Sequence, residues 1–179
     1  MKQLLLKFSA SVDTANEAIG NGLAWCTLAC VLTCFLVVVL RYIFSIGFPW
    51  MQELYVWFHA ITFMGGAGFV LLHGGHVNVD IFYTKLKKHN RALVDILGTL
   101  FFLLPWMIVL MITSFEFIVA SWKIAESSSQ TDGMPGLYVL KTLIAFFCLV
   151  IILQGLSTIA KRTIIILEFR DLQKDKRNG

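Results

Sequence analysis

Four apolar runs, each long enough to cross a bilayer, constrain this chain more than anything else in it. A helix needs about 20 apolar residues to cross a hydrocarbon core of ~30 Å. The runs at about 22–43, 51–72, 93–122 and 137–159 all reach that length. In lipid the backbone must satisfy its own hydrogen bonds, so such runs fold as helices. The expected fold class is an all-α membrane protein with four transmembrane helices. Composition agrees: 58% of the 179 residues are apolar, 15% are charged, and the mean hydropathy is +0.76. Soluble domains average about 25% charged residues. Little sequence remains here for a separate soluble domain.

Three parts are expected: an amphipathic N-terminal segment at 1–21, a four-helix transmembrane domain at 22–168, and a charged tail at 169–179. In the first part Leu5, Phe8, Val12, Ala15 and Ile19 recur on one helical face, while Lys7, Ser11, Thr14 and Glu17 occupy others. The fold class expected therefore includes an N-terminal interfacial amphipathic helix lying on the membrane surface, with an extension of the first span into the cytoplasm as the alternative. The first apolar run starts late and has no small-residue cleavage pattern after it, so it is expected to be a retained signal-anchor helix. Pro105 is expected to kink the third span. The apolar pattern of the fourth continues to Leu167, and the tail Asp171–Gly179 is expected to be disordered.

Twelve of the fifteen basic residues fall on one side of these spans: Lys2, Lys7, Lys85, Lys87, Lys88, Arg91 and six from Lys161 onward. Only Arg41, Lys123 and Lys141 fall on the other. The positive-inside rule then places both termini in the cytoplasm and the loops at 45–50 and 125–136 outside. Tyr42, Trp50, Tyr55, Trp122 and Tyr138 form an outer aromatic belt under this orientation. The net charge of +4 is thus membrane topology rather than nucleic-acid binding. The membrane lipids themselves are the first partner.

The ionisable residues near the apolar runs are the next candidates. Arg41 ends the first span and Glu53 begins the second, at similar depth, which predicts an ion pair or a docking surface. Glu116 and Lys141, near the outer ends of the third and fourth spans, are expected to pair in the same way. His73, His76 and Asp80 lie in a glycine-rich turn after the second span, where capping the chain outweighs metal binding. Gly65, Gly66 and Gly68 lie within the second span, so they read as a close-packing face rather than a phosphate loop. Cys26, Cys30 and Cys34 form a small-residue stripe, and no disulfide framework is expected. His59 is the one histidine well within a span, which disfavours haem. No catalytic residues, metal site or cofactor is expected, and the chain is not read as an enzyme. Nor does a pair of broken helices mark a substrate site of its own.

Several motifs together resemble one family. They are Arg41-Tyr42 closing the first span, Trp50-x-x-Glu53 opening the second, and His76-Val77-x-Val79-Asp80 after it. Glu126-Ser127-Ser128, Gly133-Met134-Pro135, Tyr138, Lys141 and Gln154-Gly155 follow in order. From about Trp25 to Lys161 the chain resembles the small membrane subunit (DctQ type) of tripartite ATP-independent periplasmic (TRAP) transporters. The resemblance implies two protein partners: a large membrane subunit (DctM type) that carries substrate, and a periplasmic substrate-binding protein. It implies a scaffold in the bacterial inner membrane that serves cation-gradient-driven uptake of a small organic acid. It also implies that Arg41, Trp50 and Glu53 shape the outer hairpin. Glu126, Ser127 and Gly133 would then face the soluble component, and His76 and Asp80 would organise the cytoplasmic turn. A membrane anchor of a redox enzyme is the alternative, and a stand-alone channel or carrier is a third reading.

Overall fold

The computed structural model describes residues 2–75, 83 and 86–178, with side chains for all of these but 172 and 174–178. Among the described residues, six α-helices follow one another: α1 (Lys2–Ile43), α2 (Pro49–Gly65), α3 (Ala67–Leu72), α4 (Lys88–Gly98), α5 (Leu104–Lys123) and α6 (Leu137–Asn178). A π-helical segment at Thr99–Leu103 joins α4 to α5. No strand occurs among the described residues. Four helical stretches are long and apolar enough to cross a membrane, as the apolar runs require.

The amphipathic segment is helical and runs into the first span without interruption. In place of the separate interfacial helix expected there, the segment continues the first span as one helix. α1 and α6 have 42 residues each, about 63 Å at 1.5 Å per residue. That is roughly twice the ~30 Å hydrocarbon core. The tail expected to be disordered instead continues α6 as helix to Asn178.

Local sequence explains the joints. Pro49 opens α2, where its missing N–H and fixed φ are tolerated. α2 and α3 form one span with an irregularity at Gly66, whose N–H still donates to the Thr62 carbonyl at 3.0 Å. The irregularity expected at Pro105 is found in the turn before it. Proline donates no hydrogen bond and its ring crowds the carbonyl four residues back. The wider π turn at Thr99–Leu103 contains that carbonyl.

α6 is the central element. α1, α2, α3, α4 and the π segment with α5 all pack on it, and α1 also packs along α2. A small apolar core of Ala67, Met107 and Ile151 is supported by Leu71, Leu103 and Phe147. Much of the remaining apolar surface faces outward, with Trp25 73% and Phe102 78% exposed. In water such a surface would drive aggregation. In a bilayer, lipid tails solvate it.

The glycines of the second span approach neighbouring helices. A side chain at Gly68 would overlap the Asn16 amide of α1 and press on Val150 of α6. Gly65 lies against Leu23 and Phe146, whereas Gly66 faces chiefly its own Thr62 carbonyl. Cys30 of the cysteine stripe donates its thiol to the Tyr55 carbonyl at 3.4 Å, while Cys34 is exposed.

Candidate functional site

Polar side chains gather at two ends of the bundle. The first is the loop end, formed by residues 44–48 and 124–136. There α5 closes with Ala125 in the left-handed region (φ 45°), and the Glu126 N–H donates back to the Ser121 carbonyl at 3.1 Å. This is a Schellman-type ending. It returns the Glu126 carboxylate over α5, where Ser121 donates to it at 2.6 Å and Lys141 of α6 forms an ion pair with it. The Lys141 hydrogen bond first, then that of Ser121, holds Glu126 below the usual carboxylate range. The Lys141 ammonium also sits 4.0 Å from the centre of the Phe117 ring, a favourable cation–π contact. Trp122 packs edge-on against Tyr138 at 4.5 Å and donates its indole N–H to Thr142 at 2.9 Å.

Glu53, in the first turn of α2, fastens the rest of this loop. Its Oε1 accepts from the Ser128 hydroxyl, and its Oε2 accepts from the Met134 N–H at 2.6 Å. The loop is internally tied as well. The Ser128 N–H donates to the Met134 carbonyl at 3.2 Å, and the Gln130 N–H to Ser128 Oγ at 3.1 Å. A side chain at Gly133 would overlap Ser128, so the loop closes over Glu53 only with glycine there. Beside it lies a cleft of about 400 Å³ lined by Gln52, Trp57, Gln130 and Leu137 among others.

The second cluster lies at the end of the bundle that carries both termini. Asp13 of α1 accepts from Gln154 at 3.1 Å and Ser157 at 3.0 Å, and forms an ion pair with Lys161. Asn16, one turn on, donates to Gln154 Oε1 at 2.7 Å. Asn16, Gln154 and Ser157 are 3%, 1% and 0% exposed. Beside them Arg162 pairs with Asp95 of α4 at 2.7 Å, and Tyr83 donates to both Asp95 oxygens at 2.9 Å. Glu17 lies 3.4 Å from His73, and Lys2 pairs with Asp171 at 3.0 Å.

Two expected pairs are not formed. Arg41 makes no ion pair with Glu53. The contact of Cys30 with Tyr55 sets the register of α1 on α2. Arg41 stands about 16 Å beyond Cys30 along its helix, while Glu53 is only about 3 Å from Tyr55. Arg41 is exposed, in a shallow cleft with Ser45, Pro49 and Gln52. Trp50, also exposed, leans on Phe48 with ring centres 6.2 Å apart. Glu116 likewise does not meet Lys141. Lys141 meets the face of α5 that carries Phe117 and Ser121, and Glu116 is rotated about 100° from Phe117. Ser127 is exposed and Gly133 half-buried on the loop that Glu53 fastens. His76 and Asp80 lie outside the described residues. His59 is exposed and stacked on Phe63 at 6.3 Å, without a second histidine at that depth. No cluster of three metal-ligating side chains occurs among the described residues.

The second cluster is largely absent from the expected site residues: Asp13, Asn16, Asp95 and Ser157 do not figure there, Gln154 enters only as a motif residue of the family resemblance, as do Ser128 and Met134, and Ser121 is absent. A signal for the cluster exists. Asp13, Asn16 and Gly20 recur at i, i+3, i+7, and so do Gln154, Ser157 and Lys161. Two polar stripes of equal helical spacing are what two helices need to zip together.

Four apolar helices with polar ends and an apolar middle define a multi-pass membrane protein. Residues 29–163 match the family described as tripartite ATP-independent periplasmic transporters, DctQ component. That stretch is about three quarters of the chain, which therefore belongs to the DctQ family: it is a small membrane subunit of a TRAP transporter. No curated protein and no solved structure matches it. The matched stretch includes the loop end entire, but only the α6 side of the Asp13 cluster. It is a family of transporter components and not of enzymes, and it gives no support to a redox anchor.

Proposed function

We propose that this subunit is a fixed scaffold for the large, substrate-carrying membrane subunit, and that its loop end helps dock the soluble substrate-binding protein. One observation carries the reading. Between Lys141 and Gln154, α6 buries only Cys148, Val150 and Ile151. The two polar clusters are thus separated by an apolar stretch through the most central helix. A transported ion or acid needs polar groups along its way, and the central helix buries none there. The chain's contribution to cation-driven uptake of a small organic acid is then structural. The membrane is the bacterial inner membrane, with both termini in the cytoplasm. The placement of twelve basic residues at or beyond the end carrying the termini supports that orientation.

On this reading the Glu53-fastened loop is the docking element, since it is outward-facing, pre-formed and polar. Arg41, Trp50 and Ser127 are exposed around the same end. The test is purification of the tagged chain co-expressed with a large TRAP subunit and a binding protein. Wild type should retain both. Glu53→Lys should retain the large subunit while losing the binding protein. Retention of both by Glu53→Lys would remove the loop from the docking surface, and loss of the large subunit from wild type would remove the scaffold role.

A further inference from the structure

The second and third spans do not close against each other along their length; both are held by α6. The space between them is a lateral groove of about 1150 Å³. That is larger than the ~300–1,000 Å³ of ordinary small-molecule pockets. Its chemistry changes along its length. Over most of the span it is apolar, walled by Leu71, Phe102 and Trp106, with Phe102 and Trp106 open to the lipid side. At the end that carries the termini it finishes in Lys161 and Arg162.

These two cations are only partly spent on their partners. Arg162 gives its Nε to Asp95, and its two terminal nitrogens engage none of the described residues. Lys161 pairs with Asp13, which does not line the groove. Among the described lining residues, Asp95 is the one carboxylate facing two cations. A guanidinium with free terminal N–H groups matches a phosphate in bidentate fashion. The groove therefore has an apolar flank at membrane depth and a phosphate-binding end at the membrane boundary. We infer that it holds one phospholipid with an anionic headgroup, its phosphate on Arg162 and Lys161 and its acyl chains along Phe102 and Trp106. The inference is independent of the docking role proposed for the loop end. A helix of the large subunit is the competing occupant. The groove favours lipid because its charged groups, Asp95, Lys161 and Arg162, are confined to one end, as an amphiphile requires.

Gly98 offers a clean variant. It lines the groove, and a Cβ added there meets nothing within 4 Å. Gly98→Phe thus puts a bulky ring into the groove from a position where the Cβ is accommodated. The experiment is native mass spectrometry of the full chain, delipidated in detergent and titrated with phosphatidylglycerol or chain-matched phosphatidylethanolamine. Wild type should bind phosphatidylglycerol in preference. Arg162→Gln should weaken that binding by about fivefold, the effect of one basic residue beside an anionic headgroup, and weaken phosphatidylethanolamine less, since its own ammonium already offsets the phosphate charge. Gly98→Phe should reduce the binding of both. Equal binding of the two lipids by wild type overturns the inference. So does unchanged phosphatidylglycerol binding in Gly98→Phe, a result that holds even if Arg162→Gln fails to fold. A photo-crosslinker at Phe102 in the co-expressed complex should label lipid. Labelling of the large subunit's polypeptide would give the groove to a protein helix instead.

Discussion

Each end of the bundle is tied by a carboxylate on one of the first two spans, but the two ties hold different things. Glu53 holds a loop: its partners Ser128 and Met134 lie on the 124–136 connection, and the cluster is only half-buried. Asp13 holds helices: its partners Gln154, Ser157 and Lys161 all lie on α6, and two of them are inaccessible. Opening the first tie frees a loop and leaves the spans packed. Opening the second strands buried polar groups between the two longest helices, where each costs roughly 1–3 kcal/mol. A shared chemical device thus gives one adaptable end and one rigid end. That division fits the scaffold and docking roles proposed above.

The difference can be broken most sharply at Gln154. Gln154→Leu removes the bridge between Asn16 and Asp13 and should lower stability by about 2 kcal/mol, read as a lower midpoint of unfolding in mixed detergent. Exchange at the loop end should stay as in wild type. Glu53→Ala should do the reverse. Its cost to global stability should be smaller, about 1 kcal/mol, while amide exchange across 124–136 accelerates about tenfold or more. If Glu53→Ala destabilises the bundle more than Gln154→Leu, the assignment of rigid and adaptable ends is inverted.

The loop end should also respond to pH. Glu126 has a lowered pKa, so its contact with Lys141 and Ser121 contributes in full above the ordinary carboxylate range. The contribution falls away as pH drops through the lowered value. A loop-end probe such as Trp122 fluorescence should therefore stay flat through neutral and mildly acidic pH and change only in strong acid. Lys141→Met should move that change to higher pH. The smallest expected effect is at Ala125, which holds a left-handed conformation that glycine adopts more easily. Ala125→Gly should stabilise the loop end by ~0.5–1 kcal/mol, seen as slower exchange there and nowhere else.

The spans were legible because hydropathy reports burial in lipid without any knowledge of partners. The end of the span at which a residue lies was legible for the same reason, and that alone brought Arg41 to Glu53 and Glu116 to Lys141; at finer scale the expected common depth of Arg41 and Glu53 does not hold. What depth does not contain is register and azimuth. The contact of Cys30 with Tyr55 slides Arg41 two turns past Glu53, and the helical rotation between Glu116 and Phe117 turns the glutamate away from Lys141. The loop motifs around Glu126 and Gly133 lie on the segment that Glu53 fastens. Their true partner was a residue 75 or more positions away, Glu53. The Asp13 cluster was missed because the segment was judged by its apolar face. Its polar stripe carried the packing information, and Gly68 opposite Asn16 is intelligible only with both helices in place. The helical continuation to Asn178 was missed for a related reason: high charge favours disorder in a free tail but not in a segment that continues a long packed helix.

The central claim is that this chain spans the membrane without providing a way through it. The direct measurement is flux of sodium, of protons and of a panel of small organic acids into proteoliposomes. Vesicles containing this chain alone should be indistinguishable from protein-free vesicles. Uptake should emerge only when the large subunit and the binding protein are added. Flux through the chain alone would contradict the claim and place a polar pathway where the structure shows Cys148, Val150 and Ile151.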